Sequence, residues 1–263
     1  MSKHPNIEAE ELLIGNGTFI SPKAHIRGIH GKAKKIVLGD QVYIGDEVQI
    51  ICDEFSMGDY GKIHHHGNIH GYQPCHIGHN AWIGQYTIID SIGGVEIGNN
   101  CGIGAHSQLW SHIKYGDTLE GCRFLSDGKL QVGNDVWFVG HCIVSPIQAA
   151  DKSMALAGSV ITQDMQYNEI YAGNPAKSIS HKLGYQFTEV TVAEKFERMT
   201  AYLHRFQPNT KLAVVKHTEA VNFEDDISYF DVSTRKYKKT QSEEEIAFMK
   251  FLLPEKAKFI PFE

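Results

Sequence analysis

An aliphatic residue followed by glycine recurs at Leu38-Gly39, Ile44-Gly45, Ile77-Gly78, Ile83-Gly84, Ile97-Gly98, Ile103-Gly104 and Val132-Gly133, and within each close pair the step is six residues. Four residues after each aliphatic comes a small or medium residue: Val42, Val48, Ala81, Thr87, Cys101, Ser107 and Val136, with Cys142 standing in the same relation to Phe138. In extended chain, residues two apart share a face, so each hexad offers one large and one small side chain to a common interior. Between them stand Gly and then Asp or Asn (Asp40, Asp46, Asn99, Asn100, Asn134, Asp135), residues suited to turns and left-handed backbone. Each hexad therefore predicts a short strand plus a corner. An even period excludes an amphipathic helix, whose apolar spacing is three and four, and describes a coiled, stacked sheet in which each coil buries its neighbour.

Two stretches depart from the period. Residues 51–62 strain it before Ile63 and Ile69 resume it, and residues 113–131 leave it altogether, a polar, Gly-bearing excursion of the kind that carries function. Beyond residue 184 the pattern changes. Phe196, Met199, Leu203 and Phe206 lie at helical spacing within 191–206, KLAVV and NFEDDISYFDVSTRKYKK read as strands with polar turns, and Ser242 with Glu245 forms a capping box opening a helix that Pro254 stops. The expected organisation is an all-β domain over 1–183 and a small α+β C-terminal domain over 184–263.

The hexads, the stretch LQVGNDVWFVGHCIVSP, then LAGSVIT and AGNPAK, in that order, resemble the hexapeptide-repeat acyltransferases, in motif nearest to sugar and maltose-type O- or N-acetyltransferases; the resemblance spans about Leu13 to Lys182. It implies a left-handed parallel β-helix of three hexads per coil, a homotrimer with sites between subunits, and transfer of an acyl group, acetyl first, from acetyl-CoA to a hydroxyl or amine of a sugar, sugar nucleotide or surface polysaccharide. It also implies roles for particular residues. His112, just before the excursion, stands where the family carries its general base, with His106 and His141 as the other candidates, and Asp90 matches an acidic residue that would orient the base or bind the acceptor. Trp137, Gly140, Ala157, Gly158, Thr162 and Lys177 match the coenzyme A groove. SPIQAADKS departs from the family pattern: it is one residue short, with Asp151 in place of a glycine, which puts the path of that coil in question.

The formal charge of −6 gives no basic excess for nucleic acid or anionic membrane. No apolar run reaches the roughly 20 residues of a membrane span, and a cytoplasmic protein is expected. Five cysteines without CxxC spacing predict reduced structural thiols. Fifteen histidines raise the question of metal: His64-His65-His66, with His70, His76 and His79, invite such a reading, and alternate positions such as 64 and 66 would aim their imidazoles the same way. IGHNAW is similar to a motif of the gamma-type carbonic anhydrases, trimeric zinc enzymes, but Ile83, Gly84 and Gln85 stand where a second histidine belongs. No metal is expected; that hydratase and a non-catalytic scaffold are the competing readings.

Overall fold

The computed structural model describes residues 6–126, 128–206 and 211–262. The chain divides into two compact units, Met1–Phe187 and Thr188–Glu263. Among the described residues the first unit is built on three sheets visited in rotation, so that strands pair in parallel with those of the adjacent coils, and only the closing hairpin of Ile170–Gly173 with Ala176–Ser178 is antiparallel. This is the parallel β-helix that the hexads predict.

Inside the coil the large side chains stack in columns. On the second sheet Ile44, Ile63, Ile83, Ile103 and Phe138 are in register, and on the third Ile50, Ile69, Ile89, Leu109 and Val144. All are almost fully buried, as are the small partners Val42, Ala81, Cys101 and Cys142. Cys52, Cys75, Cys101 and Cys142 are buried and outside any disulfide, and burial pushes the Cys52 thiol up to about 11. Residues 51–62 are not an interruption. Glu54–Met57 is a strand of the first sheet, paired with Lys35–Leu38 on one side and Cys75–Ile77 on the other. Met57-Gly58 is a hexad in which an unbranched side chain takes the aliphatic position.

One corner carries a spine of side-chain caps, each accepting from a backbone N–H one coil earlier. Asp40 Oδ1 accepts from Asn16 N at 2.6 Å, Asp59 Oδ1 from Asp40 N at 2.8 Å, His79 Nδ1 from Asp59 N at 2.9 Å and Asn99 Oδ1 from His79 N at 2.8 Å. Asn134 Oδ1 and Asp151 Oδ1 continue it, at 2.9 Å and 2.7 Å. Asp151, where the family pattern has a glycine, is therefore the last cap of this spine. The shortened coil keeps its path, with Gln148–Ala149 in register on Gln131–Val132. Left-handed backbone falls on the residue after each of the first caps, as at Gln41, Tyr60, Asn80 and Asn100.

The corner joining the third sheet to the next coil is the variable one. It is short at 71–74 and 91–94, and it expands into the excursion after Trp110, from which the chain rejoins the first sheet at Leu130–Val132. Ile113 and Ser126 bridge the base of that loop; residue 127 lies outside the described residues. Tyr115, Leu119 and Phe124 on the loop are exposed.

The second unit has its own four-stranded sheet, in the order Leu212–Val215, Ser228–Asp231, Lys236–Tyr237, Ile260–Pro261, with helices Val192–Phe206 and Glu243–Leu252. Ser242 Oγ accepts from Glu245 N at 3.2 Å, as a capping box requires. The reciprocal bond lands one residue early, on Gln241 N at 2.9 Å. Thr191 and Glu194 cap the other helix in the same manner. Phe230, Tyr237 and Phe248 form a buried aromatic cluster.

Candidate active site

The strand Ile88–Asp90 ends at the variable corner. Ile89 points into the core column, and Asp90, next along, is fully buried at the rim. One coil later the chain reaches the same place as Trp110-Ser111-His112 and starts the excursion. The result is a compact polar cluster. Asp90 Oδ1 accepts from Ser111 N at 3.3 Å, from Ser111 Oγ at 2.9 Å and from His112 Nδ1 at 2.7 Å. Ser111 is itself buried, and its Oγ accepts from Gly93 N at 2.8 Å. A carboxylate oxygen accepts, so Nδ1 carries the ring proton and Nε2 is left as the acceptor. The His112 side chain keeps 19% of its surface exposed against none for Asp90, an imidazole held from behind and open in front. Trp110 lies edge-on to it, ring centroids 6.4 Å apart.

Asp90 has a second imidazole in its neighbourhood. His70 stands opposite Asp90 in the parallel register, with Nε2 3.7 Å from Asp90 Oδ2 and Nδ1 3.2 Å from Asn68 Oδ1. Oδ2 is buried without a hydrogen-bond partner. Sequence reading singled out neither Ser111 nor the His70–Asp90 pairing. The signal was there: Ser56, His76 and Glu96 are in register at steps of twenty, not eighteen, and the same step sets His70 beside Asp90.

Of the cofactor-matching residues, Gly140, Ala157 and Gly158 lie at the other end of the third sheet's short strands. Trp137 is half exposed on the second sheet between Gly102 and Met154, its Cδ1 3.0 Å from where a Cβ on Gly102 would stand. Gly140 and Gly158 face each other on adjacent coils, with Gly158 N donating to Gly140 O at 2.9 Å. Ala157 and Gly158 are exposed, and a Cβ at Gly158 would meet nothing within 4 Å. Thr162 follows Val160–Ile161, on the same edge as Trp110 and His112 but two coils on. Lys177 is exposed on the antiparallel hairpin strand Ala176–Ser178, opposite Ala172. His112 and Asp90 thus share one edge with Thr162, whereas Gly140, Ala157 and Gly158 gather at the opposite edge of that sheet, and Trp137 and Lys177 lie on the second sheet.

The triple histidine does not act as a unit. His64 packs between Tyr43 and Trp82, while His66 turns past a left-handed corner to stack on Tyr86 at 4.7 Å, so 64 and 66 do not point the same way as alternation predicted. Tyr86, His106 and His141 continue that exposed stack at 5.1 Å and 4.9 Å. Among the described residues no three His, Cys, Asp or Glu side chains converge as a metal ligand set. No helix among them is long and apolar enough to cross a membrane.

No protein-family profile matches the chain. It is similar to galactoside O-acetyltransferase of Escherichia coli (strain K12), 31% identical over 108 residues, which are 40% of this chain and 52% of the relative. The chain thus spans about half the length of that relative. Among solved structures it is similar to AntD, an N-acyltransferase from Bacillus cereus in complex with dTDP and 3-hydroxybutyryl-CoA, at TM-score 0.46 and 16% identity, covering 75% of this chain and 93% of the other. The polySia-specific acetyltransferase NeuO gives TM-score 0.45 and 19% identity, covering 73% and 92%. The sequence match falls on an acetyltransferase, the group that the repeat motifs resemble.

Proposed function

We propose that this chain, related in sequence to the hexapeptide-repeat acetyltransferases, is an acyl-CoA-dependent acyltransferase that carries an acetyl group to a hydroxyl or amine of a sugar, sugar nucleotide or glycan. The observation that carries the reading is the 2.7 Å bond between His112 Nδ1 and buried Asp90 Oδ1, which leaves Nε2 facing out beside the excursion loop. Acyl transfer to a hydroxyl needs such a base. As the acceptor oxygen bonds to the thioester carbonyl carbon, its proton passes to Nε2, and Asp90 steadies the imidazolium. The same proton leaves on the sulfur when the carbon–sulfur bond breaks.

The donor fits along the third sheet. From Gly158 to Thr162 is four residues of extended chain, roughly 13 Å, so a donor anchored at Ala157, Gly158 and Lys177 reaches the edge that carries His112. The absence of a side chain at Gly158 lets it lie close to the backbone, and Lys177 supplies a cation for phosphate. The 31% identity to a galactoside O-acetyltransferase supports a sugar hydroxyl as the acceptor. The site is completed in a homotrimer, with Trp137 at a subunit boundary; sedimentation equilibrium checks this, and a fully active monomer would exclude it.

The test is a panel of acyl-CoA thioesters against galactosides, maltose, free glycans and amino-sugar nucleotides, followed by release of free thiol. Acceptor-dependent release with acetyl-CoA is the expected result. A protein that neither binds coenzyme A in calorimetry nor releases thiol with any acceptor is not an acyltransferase.

A further inference from the structure

We infer that His70 is a positioning residue for Asp90, closing the carboxylate's free oxygen so that the other stays on His112. The kinetic consequence rests on the acyl-transfer reading above; the geometry does not. Asp90 Oδ1 is held by three donors, and Oδ2 is buried with none. Buried carboxylate oxygens are almost always hydrogen-bonded, because burial strips away the water that would otherwise donate. The imidazole in reach is His70, whose Nε2 is 3.7 Å away, about 0.9 Å beyond a charge-assisted bond. The backbone already brings the two together, His70 and Asp90 being register partners on adjacent strands. The His70 side chain is 42% exposed and has room to move.

The proton needed on Nε2 is available through Asn68. In the present arrangement Asn68 Oδ1 lies 3.2 Å from His70 Nδ1 and accepts its proton. Turned about Cβ–Cγ, the carboxamide offers an N–H to a bare Nδ1, and the neutral ring then carries its proton on Nε2. No charge changes and no other group is needed. The gain is mechanical. A carboxylate fixed at one oxygen can still pivot and carry Oδ1 off His112, whereas one fixed at both cannot, and the imidazole it holds keeps its aim.

The experiment uses the full chain labelled with 15N-histidine. The low-field proton on His112 Nδ1, identified by its loss in His112→Gln, reports the bond to Asp90 without any assay of turnover. In His70→Phe that resonance should move upfield and exchange faster with water. In His70→Gln, whose amide can donate to Oδ2, it should return toward the wild-type position. In parallel, kcat should fall about tenfold in His70→Phe with donor KM unchanged and recover in His70→Gln. If His70→Phe fails to fold, His70→Leu makes the same comparison. An unchanged resonance in the apolar variant, or no such resonance in the wild type, overturns the inference. A resonance that responds in a protein without acyl transfer leaves the inference standing and removes only the acyltransferase reading.

Discussion

His112 is the side chain on which the proposed chemistry depends most steeply. A hydroxyl is nucleophilic only as it loses its proton, and removing a positioned base costs about 10² to 10⁴ in rate. His112→Ala should lower kcat by that order and leave donor binding at Ala157, Gly158 and Lys177 unchanged. His106→Ala and His141→Ala are the controls: both rings are exposed and stacked on one another 4.9 Å apart, away from any carboxylate partner in their stack. If either control abolishes turnover while His112→Ala retains it, the base belongs to that stack. His64 gives a prediction of a different kind. Burial, and then Lys62 and His65, hold its imidazole below the ordinary 6.5. The unfolded chain therefore binds the proton more readily than the folded one, and stability falls as pH drops below about 6.5. The carboxylate of Asp46 is held low by the Ser21 hydroxyl and then by Lys23, so its contribution is lost only below 3.8, a separate window. His64→Phe keeps a ring between Tyr43 and Trp82, and it should flatten the slope of Tm against pH between about 7 and 5. An unaltered slope would assign the acid sensitivity elsewhere.

At the scale of the coil, glycine is a packing requirement. A Cβ on Gly104 would stand 1.9 Å from Val139 O and 2.3 Å from Val139 C, backbone atoms of the next coil that cannot step aside. Gly104→Ala should therefore force two coils apart beside the Ile103–Phe138 column and cost about 3 kcal/mol or more, as severe core disruptions do. Gly128→Ala, whose Cβ would meet Pro146 Cβ at an ordinary 3.4 Å, is the matched control and should be near neutral. Equal melting temperatures for the two variants would contradict this. The same element explains what could be read in advance. The interior columns were legible because large and small residues recur at fixed offsets, and the helix at Val192–Phe206 because its apolar residues recur at helical spacing. The hexad at Met57 was not, because methionine falls outside the aliphatic class, although it fills the same volume. His70 was named only within the histidine cluster, and its pairing with Asp90 escaped because pairing in a coil depends on the residues per turn. Corners longer by two residues moved the register from eighteen to twenty, a step that Ile77 and Ile97, or Ile83 and Ile103, already carry in the sequence. Asp90 and His112 were named from motif position; their hydrogen bond, and Ser111 beneath it, came from the geometry of the corner.

For the whole molecule, the decisive feature is that the two units have separate interiors. The repeat unit's core runs as one contiguous cluster from Ile7 to Tyr171. The second unit buries Met199, Phe230, Tyr237, Phe248 and Leu252 around its own sheet, and none of these belongs to that cluster. The spine of caps from Asp40 to Asp151, the columns of isoleucine and the proposed catalytic edge all lie before Phe187. Quasi-one-dimensional coils take their stability from their neighbours along the stack, so the repeat unit should stand without Thr188–Glu263. A chain ending at Phe187 is expected to keep its β-structure, to bind coenzyme A as tightly as the full chain, and to retain His112-dependent thiol release on small acceptors. Scanning calorimetry of the full chain should then resolve two transitions, since units with independent cores need not unfold together, and the truncated chain should keep one of them unshifted. If truncation instead yields a soluble protein that no longer binds coenzyme A, the second unit contributes to the donor site. The division of labour would then be wrong even though the coil itself is intact.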